Sequence, residues 1–498
     1  MATKLLAGWS EVDLTPEKKV HLRGQFCERV SEYVETPIYA TALALDTGDD
    51  CAIMVSCDLE SVSFNLMDAI REELKTMIPD FDTSKLIVGA THTHTSIDYT
   101  SHNLPGGNSG LSVLKRYIPD NVKYEDPEPV GDDVMTFDEA LAHLTKKIAQ
   151  AAAEAWKNRS YAKFANEFGR AAVGMCRRAK YDDNSAAMWG DTNTPNFLAL
   201  EGGSDTGLEL IYFFSEDGKP TGVLANYACP AQCVQHRLFV SSDYWGKTKV
   251  LLREKFGEDF FLLPFTSPAG DQCPVDLIRW VEPDTDVNDP NIVRVNPPRR
   301  KADPSMFDIQ GSWKAGKRIA NEIIDAYDDA VAEMRDVVRL THLVQPTVLP
   351  LRRVTIQERD AAEHALKEFF ADCAGKTLSF FDNASMHVHA GTLSRFDYQK
   401  KYNTFTYDTH YLRMDDLAFA TDPFELFLDF ANQIRAQSPA AQTFLFQLTN
   451  GSLGYVPTKR AEEGSHYSAY VSSGVTGHEG GDLIVREALD TFRELFED

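Results

Sequence analysis

The stretch Leu86-Ile87-Val88-Gly89-Ala90-Thr91-His92-Thr93-His94 joins a short apolar run to two closely spaced histidines. The apolar run contains β-branched side chains and predicts a buried strand that ends just before the histidines. A similar run at residues 52–56 predicts another strand, and residues 65–78 between them carry apolar side chains at helical spacing. Strand, helix and strand in this order form a β-α-β unit, which is typical of α/β proteins.

The rest of the chain continues this alternation without a repeat of fixed period. The sequence predicts a long helix at 137–156 and a hairpin at 207–228 that turns at Asp217-Gly218. Further elements are predicted as helices at 245–256, 313–334, 358–370, 423–436 and 481–495, strands at 386–390 and 405–411, and long surface loops at 119–133 and 283–304. We therefore expect an α/β fold with a large mixed β-sheet core flanked by helices, forming one domain over residues 1–498.

The charge balance restricts the partners of the chain. It has 75 Asp and Glu against 50 Lys and Arg, for a net charge of −25. Affinity for nucleic acids is built from clustered Lys and Arg, and no basic stripe is present. We therefore expect no nucleic-acid partner.

Cysteine use and the apolar runs suggest a cellular compartment. Eight cysteines without a CxxC pair indicate reduced thiols rather than a disulfide framework. The N-terminal residues lack the charged and then apolar segments of a secretory signal, and no apolar run approaches the roughly 20 residues that cross a bilayer. We expect a cytoplasmic protein with no stable membrane span. The sequence does not indicate an oligomeric state.

His92 and His94 are the strongest candidates for chemistry. In an extended chain, residues i and i+2 project to the same side, so both imidazoles can point at one place. This arrangement suits a metal centre, or one metal ligand beside a catalytic base. The alternative is two ordinary loop histidines. Their position at the end of a strand, where the sites of α/β proteins gather, favours function.

Two further segments carry reactive side chains. Residues 226–236 contain Cys229, Gln232, Cys233 and His236, which are potential ligands, although buried thiols are more often small core residues. Residues 266–274 follow another apolar run and contain Cys273. This thiol could act as a nucleophile if a nearby cation lowered its pKa.

Five sequence elements together resemble a known family. They are Ala7-Gly8-Trp9-Ser10-Glu11-Val12-Asp13-Leu14-Thr15-Pro16, Ala90-Thr91-His92-Thr93-His94, Gly270-Asp271-Gln272-Cys273-Pro274, Asp422-Pro423-Phe424-Glu425 and Asn450-Gly451-Ser452-Leu453-Gly454-Tyr455-Val456-Pro457-Thr458. In this order they are similar to the catalytic domain of the neutral/alkaline non-lysosomal ceramidases, without that family's C-terminal immunoglobulin-like domain. The resemblance covers nearly the whole chain.

The resemblance implies a zinc-dependent amidase that splits an N-acyl bond. By this similarity, His92 looks like a zinc ligand, Glu425 like the acidic ligand and Tyr455 like a phenolate-type ligand. His94 and Arg177 look like catalytic groups on the substrate side. Zinc accepts nitrogen and oxygen donors together, so this set is chemically coherent.

The sequence departs from the family pattern at two positions. The second zinc histidine of the family aligns with Pro230, which cannot bind metal. Cys229 and His236 are the candidates to replace it, Gln232 is a weaker donor, and we favour His236 because it keeps a nitrogen donor. The family's catalytic serine is replaced by Cys273, which could attack the substrate or only polarise it.

These features favour a zinc-dependent hydrolase that cleaves an amide bond of a small or lipid-like substrate. An alternative is the same metal scaffold diverted to a glycosidic or ester bond, because a fold does not fix a reaction. A second alternative is a non-catalytic binding protein, which should purify without stoichiometric zinc.

Overall fold

A large mixed sheet dominates the computed structural model, which describes residues 2–25, 29–100, 117, 119, 122–124, 131–281, 301–303, 306–373, 375–378 and 380–497. The eight strands of the sheet, in spatial order, are Phe261–Thr266, Pro220–Tyr227, Gly207–Ser215, Ser160–Arg170, Leu6–Asp13, Tyr39–Asp46, Cys51–Cys57 and Leu86–Ala90. The first and the last pairs of neighbours run parallel, and the other neighbours run antiparallel. The expected α/β fold with a large mixed sheet is confirmed.

The two edge strands of this sheet contact each other. Phe261–Thr266 and Leu86–Ala90 stand at opposite ends of the strand order. Nevertheless, the Thr266 hydroxyl donates a hydrogen bond to the carbonyl of Ala90 (Oγ1–O 3.2 Å). The sheet is therefore bent until its edges meet.

Residues 447–450 bond to both edge strands where these strands meet. The main-chain N–H of Gln447 donates to the carbonyl of Thr266 (3.0 Å), and that of Asn450 donates to the carbonyl of Val88 (2.9 Å). We call this line of contact, formed by residues 88–90, 264–266 and 447–450, the seam. It satisfies main-chain groups that an open sheet edge would leave unpaired.

A second sheet packs against the first. Its strands, in spatial order, are Leu340–Pro350, Thr404–Met414, Leu417–Thr421 and Gln442–Phe446. One apolar cluster lies between the sheets, in which the rings of Phe265 and Phe446 stack with centroids 4.1 Å apart. Helices cover the outer faces through three further apolar clusters. The layers are therefore helices, large sheet, small sheet and helices.

The helices and the short strands complete the described architecture. The helices are Phe64–Met77, Phe137–Lys157, Asp243–Phe256, Asp308–Asp325, Tyr327–Ala332, Ile356–Asp372, Phe380–Tyr398, Leu428–Gln437, Lys459–Gly464 and His478–Phe496, with a 3-10 turn at Thr83–Lys85. The short strands are Thr3–Lys4, Tyr33–Val34, Lys123–Tyr124, Met175–Cys176, Arg178–Tyr181, Ala186–Met188, Phe197–Leu200, Phe239–Val240, Gln272–Cys273, Asp276–Val281, Lys301–Asp303, Val337–Val338, Thr377–Leu378, Glu425–Leu426 and Tyr455–Val456.

The predicted β-α-β unit is confirmed. Cys51–Cys57 and Leu86–Ala90 pair in parallel, and the helix Phe64–Met77 connects them. The helix begins after Ser63, whose hydroxyl accepts a hydrogen bond from the main chain of Leu66, and its apolar side is buried against the large sheet. The long helix and the hairpin are also present as predicted.

Three predicted elements are wrong or partly wrong. Residues 386–390 lie within the helix Phe380–Tyr398, because an alternating run of five residues also fits a helix with its i and i+4 positions buried. The helix predicted at 423–436 begins only at Leu428, since Glu425–Leu426 is a strand. The helix predicted at 313–334 is divided at Ala326.

Two predictions concern the surface of the chain. The loops expected at 119–133 and 283–304 fall largely outside the described residues. Within the described part of the chain, no helix combines the length and the apolar character needed to cross a bilayer.

A buried chain of hydrogen bonds links the small sheet to the seam. His342 Nδ1 donates to the carbonyl of Cys51 (3.0 Å), so its Nε2 accepts from His410 Nδ1 (2.9 Å). His410 Nε2 in turn accepts from the amide of Asn450 (2.8 Å). Every ring nitrogen is used when both imidazoles are neutral. A proton added to either ring would place two donors against each other.

This chain predicts a loss of stability in acid. Burial lowers the pKa of His342 from 6.5 to about 4, although the carbonyl of Cys51 and the carboxylate of Asp50 favour its charged form. The unfolded chain therefore takes up a proton at His342 first as the pH falls from about 6.5 to about 4, and His342 alone removes about 3 kcal/mol from the unfolding free energy across this window. Above that window both states are neutral and the contribution is constant.

The slope of the unfolding free energy against pH, measured by urea titration, checks this expectation. His342→Gln should flatten the slope between pH 6.5 and 4. His364→Ala, which changes an exposed histidine, should leave the slope unchanged. An equal slope in the wild type and in His342→Gln would contradict the expectation.

Candidate active site

His92 follows the edge strand Leu86–Ala90, in a left-handed conformation (φ 63°), and is almost completely buried. Its Nδ1 lies 2.6 Å from the main-chain carbonyl of Glu60 and must carry the hydrogen, because a carbonyl only accepts. Nε2 faces Glu425 Oε2 at 3.3 Å, with a lone pair in the neutral ring and with a hydrogen in the charged ring. Burial opposes protonation of His92, but the Glu425 carboxylate raises its pKa above the ordinary value.

Glu425 and Tyr455 are direct register partners in a two-stranded parallel ladder. The main chain of Glu425 also donates to the carbonyl of Gly454 (2.9 Å). Burial, followed by the negative charge of Glu425, raises the pKa of the Tyr455 phenol well above its ordinary value. The ladder therefore brings Glu425 to His92 and places Tyr455, which follows the seam residues 447–450, beside Glu425.

Arg177 enters the site from between the short strands Met175–Cys176 and Arg178–Tyr181. Its main-chain N–H donates to the carbonyl of Asp271, and its Nη2 donates to the carbonyl of Gly270, both at 2.9 Å. The same Nη2 lies 3.4 Å from the Tyr455 hydroxyl and 3.9 Å from Glu425 Oε2. The loop that follows the edge strand Phe261–Thr266 therefore holds the guanidinium beside the Glu425–Tyr455 ladder.

His94 contacts both His92 and a glutamine. His94 Nε2 lies 3.2 Å from His92 Nε2 and 2.9 Å from the amide nitrogen of Gln232. The amide oxygen of Gln232 faces Arg177 Nη1 at 3.4 Å. Burial lowers the pKa of His94 well below its ordinary value, so the ring is neutral at physiological pH.

The segment 226–236 contributes Gln232 to the site. Cys229 is fully buried, and its thiol faces the carbonyl of Pro230 (Sγ–O 3.5 Å). The ring of His236 stacks on Phe307 with centroids 6.2 Å apart. Gln232 is therefore the side chain that this segment places against His94 and Arg177.

Cys273 is buried close to Arg177. Burial raises the pKa of its thiol to about 12, although the Arg177 guanidinium favours the thiolate. Its Sγ lies 3.4 Å from the carbonyl of Val275. At neutral pH this residue is a thiol, which is the weakly nucleophilic form.

Four residues of the site are not predicted by the sequence. Tyr467 lies with its hydroxyl 3.4 Å from that of Tyr455, and Glu60 bonds His92 through its carbonyl. Arg23 pairs with Glu60 (Nε–Oε2 2.6 Å), and although burial opposes ionisation, this pairing lowers the Glu60 pKa to about 2. Gly24 packs on the ring of His94. No local pattern marks these residues, because they reach the site through contacts distant in sequence.

A metal ion needs several donor side chains around one point. In the part of the chain that the structure describes, no group of three or more His, Cys, Asp and Glu side chains is arranged to hold a metal. However, His92 Nε2 and Glu425 Oε2 present lone pairs to each other at 3.3 Å, and this approach is favourable only with a cation or a proton between them. Tyr455 is an additional oxygen donor next to Glu425. The chemistry of these residues fits a cation.

Comparison with solved structures reveals the same architecture in known enzymes. The neutral ceramidase from Pseudomonas aeruginosa superposes with a TM-score of 0.66 at 14% identity, over 99% of this chain and 74% of that one. The chain has the neutral ceramidase fold. A structure described as ceramidase complexed with C2 superposes on this fold with a TM-score of 0.65 at 13% identity, over 99% of this chain and 76% of that one. No family model and no curated protein sequence matches the chain.

Gly24 offers a test of how the neutral ceramidase fold positions His94 here. At Gly24 (φ 102°) a Cβ atom would lie 2.4 Å from His94 Cγ, whereas at Gly48 (φ 77°) it would meet nothing within 4 Å. Alanine at either position costs about 1–2 kcal/mol because the left-handed backbone is disfavoured. We expect Gly24→Ala to cost a further 1–3 kcal/mol or so, through the clash with the imidazole.

Urea unfolding of the two variants measures this difference, with Gly48→Ala as the control for backbone strain. Equal losses of unfolding free energy would show that the ring of His94 moves aside without cost, and that Gly24 does not position it.

Proposed function

We propose that this chain is a metal-dependent hydrolase that cleaves an amide bond of a small or lipid-like substrate, as a single catalytic domain. The observation that carries the proposal is the convergence of His92, His94, Arg177, Glu425 and Tyr455 in one buried site beside the seam. The solved structures that share the fold are ceramidases, enzymes named for cleaving ceramide, whose fatty acid is joined by an amide bond. A cytoplasmic location stays a prediction of the sequence.

His92, Glu425 and Tyr455 would hold the metal, and zinc suits this mixture of nitrogen and oxygen donors. A bound metal ion supplies Lewis acidity, which polarises a carbonyl and lowers the pKa of water. Support comes from the lone pairs of His92 and Glu425, which face each other at 3.3 Å. The sequence-based choice of His236 as a further ligand stays a prediction that a variant can decide.

The other residues act on protons and charge. His94 is neutral because of its burial, so Nε2 is able to accept a proton from the attacking group and return it to the leaving amine. The guanidinium of Arg177 stabilises the negative oxygen that develops on the carbonyl carbon. Both side chains are almost completely buried, which strengthens these interactions by excluding water.

Cys273 has an auxiliary role in this proposal. Its thiol has a pKa of about 12 and is fully buried, so little thiolate exists at neutral pH. It lies near the Arg177 side of the substrate position and shapes the site there.

The metal is tested by elemental analysis of the purified protein. We expect about one zinc per chain, and depletion in His92→Ala and Glu425→Ala because each removes a donor. His364→Ala, an exposed histidine variant, should keep the wild-type content. A decrease in His236→Ala would confirm the sequence-based choice of that ligand. A wild type that holds no metal and takes up none on dialysis against zinc would contradict the proposed mechanism.

The reaction is tested with a panel of N-acyl, ester and glycoside substrates. We expect turnover of the N-acyl compounds, a loss of about 10²-fold or more in kcat for His94→Ala, and appreciable activity in Cys273→Ser. Preferential cleavage of esters or glycosides would contradict the proposed reaction and show that this fold catalyses a different hydrolysis here. A covalent intermediate on Cys273, detected by intact mass, would contradict its auxiliary role. No turnover of any compound by metal-loaded protein would favour a binding protein.

A further inference from the structure

Gln232 joins the two proposed catalytic groups, and its side chain is only 2% exposed. The loop that carries it is anchored to the histidine segment, because the main chain of Ala231 donates to the carbonyl of Thr91 (3.2 Å). Arg29 adds a second link between these segments, donating to the carbonyls of His94 (2.6 Å) and Gln235 (2.7 Å). The amide of Gln232 is therefore held in place relative to His94 by the main chain.

The orientation of this amide follows from the chemistry of its neighbours. A guanidinium has only donors, so the group that faces Arg177 Nη1 at 3.4 Å must be the amide oxygen. The amide NH₂ then points at His94 Nε2, 2.9 Å away. An NH₂ group can only donate, so Nε2 of His94 must be the nitrogen without hydrogen, and Nδ1, which has no hydrogen-bond partner in the described part of the chain, must carry it. The contact of this Nε2 with His92 Nε2 at 3.2 Å then requires a proton or a cation on the His92 side.

We propose that Gln232 is a positioning residue. Arg177 orients its amide, and the oriented amide fixes His94 in the tautomer with an unprotonated Nε2. The catalytic importance of this contact rests on the proposed function, whereas the tautomer of His94 does not depend on that function. An Nε2 without hydrogen is the form that a general base needs on the side facing His92 and Glu425. Because the same amide contacts Arg177, it also sets the distance between the base and the group that stabilises the oxyanion.

Two substitutions separate this role from simple packing. Gln232→Met keeps the length and burial of the side chain but removes both polar contacts. Gln232→Glu keeps the acceptor for Arg177 but presents a carboxylate oxygen to His94 in place of the NH₂. A carboxylate accepts hydrogen, so Gln232→Glu should move the proton of His94 from Nδ1 to Nε2. Gln235→Met, at another buried glutamine of the same loop, is the matched control.

The direct measurement is NMR of protein labelled with ¹⁵N-histidine, as purified and after treatment with a chelator. The two ring nitrogens give different signals according to which one carries hydrogen, and comparison with His94→Asn assigns them. We expect the Nδ1–H tautomer in the wild type and in Gln235→Met, a mixture in Gln232→Met and the Nε2–H tautomer in Gln232→Glu. The Nε2–H tautomer in the wild type would overturn the proposal even if the protein is an active amidase.

Kinetics provide the second measurement. On an N-acyl substrate, we expect Gln232→Glu to lower kcat by about 10²-fold or more with little change in KM, because substrate contacts remain and the base is protonated at the wrong nitrogen. Gln232→Met should fall between Gln232→Glu and the wild type. Unchanged kcat in Gln232→Glu, together with a changed tautomer, would show that His94 is not the base and would contradict the proposed function instead.

Discussion

The main-chain hydrogen bonds of the seam are the constraint on which the site depends. Two edge strands of one bent sheet meet there, and residues 447–450 complete their pairing. The chain leaves the seam in three places, and each of these segments contributes to the candidate site. His92 and His94 follow the first strand, the loop that anchors Arg177 follows the second, and Tyr455 follows residues 447–450. An aromatic pair beneath the seam, Phe265 and Phe446, holds the two sheets at this point.

Much of the fold was predictable because its elements have strong local patterns. The helix at 64–77 has the apolar period of a buried face, and the hairpin has its Asp-Gly turn. The strand predicted at 386–390 failed because five alternating residues do not distinguish a strand from one buried helix face. The helix predicted from residue 423 failed for a different reason: Glu425 pairs with Tyr455, a non-local contact that overrides local propensity.

The site was predictable from two sources. His92 and His94 were selected by their spacing at the end of a strand, and Arg177, Glu425 and Tyr455 by the family resemblance; the structure brings all five together. Gln232 was considered only as a weak ligand, because its importance comes from contacts with Arg177, 55 positions away, and His94, 138 positions away. Neither contact can be detected from the residues that are neighbours in the sequence. Gln232, which occupies the site in the segment that lacks the family's histidine, is therefore recognised only from the three-dimensional structure.

The seam also determines when the site can form during synthesis. Residues 86–90 leave the ribosome long before residues 447–450, and at about 5–20 residues per second the interval is about 20–70 s. During this time the edge of the first strand lacks its final covering, and an uncovered strand edge is a template for pairing with other chains. The nascent protein is therefore open to such pairing until residues 447–450 are made, and a chain truncated before them would keep both histidines without Tyr455.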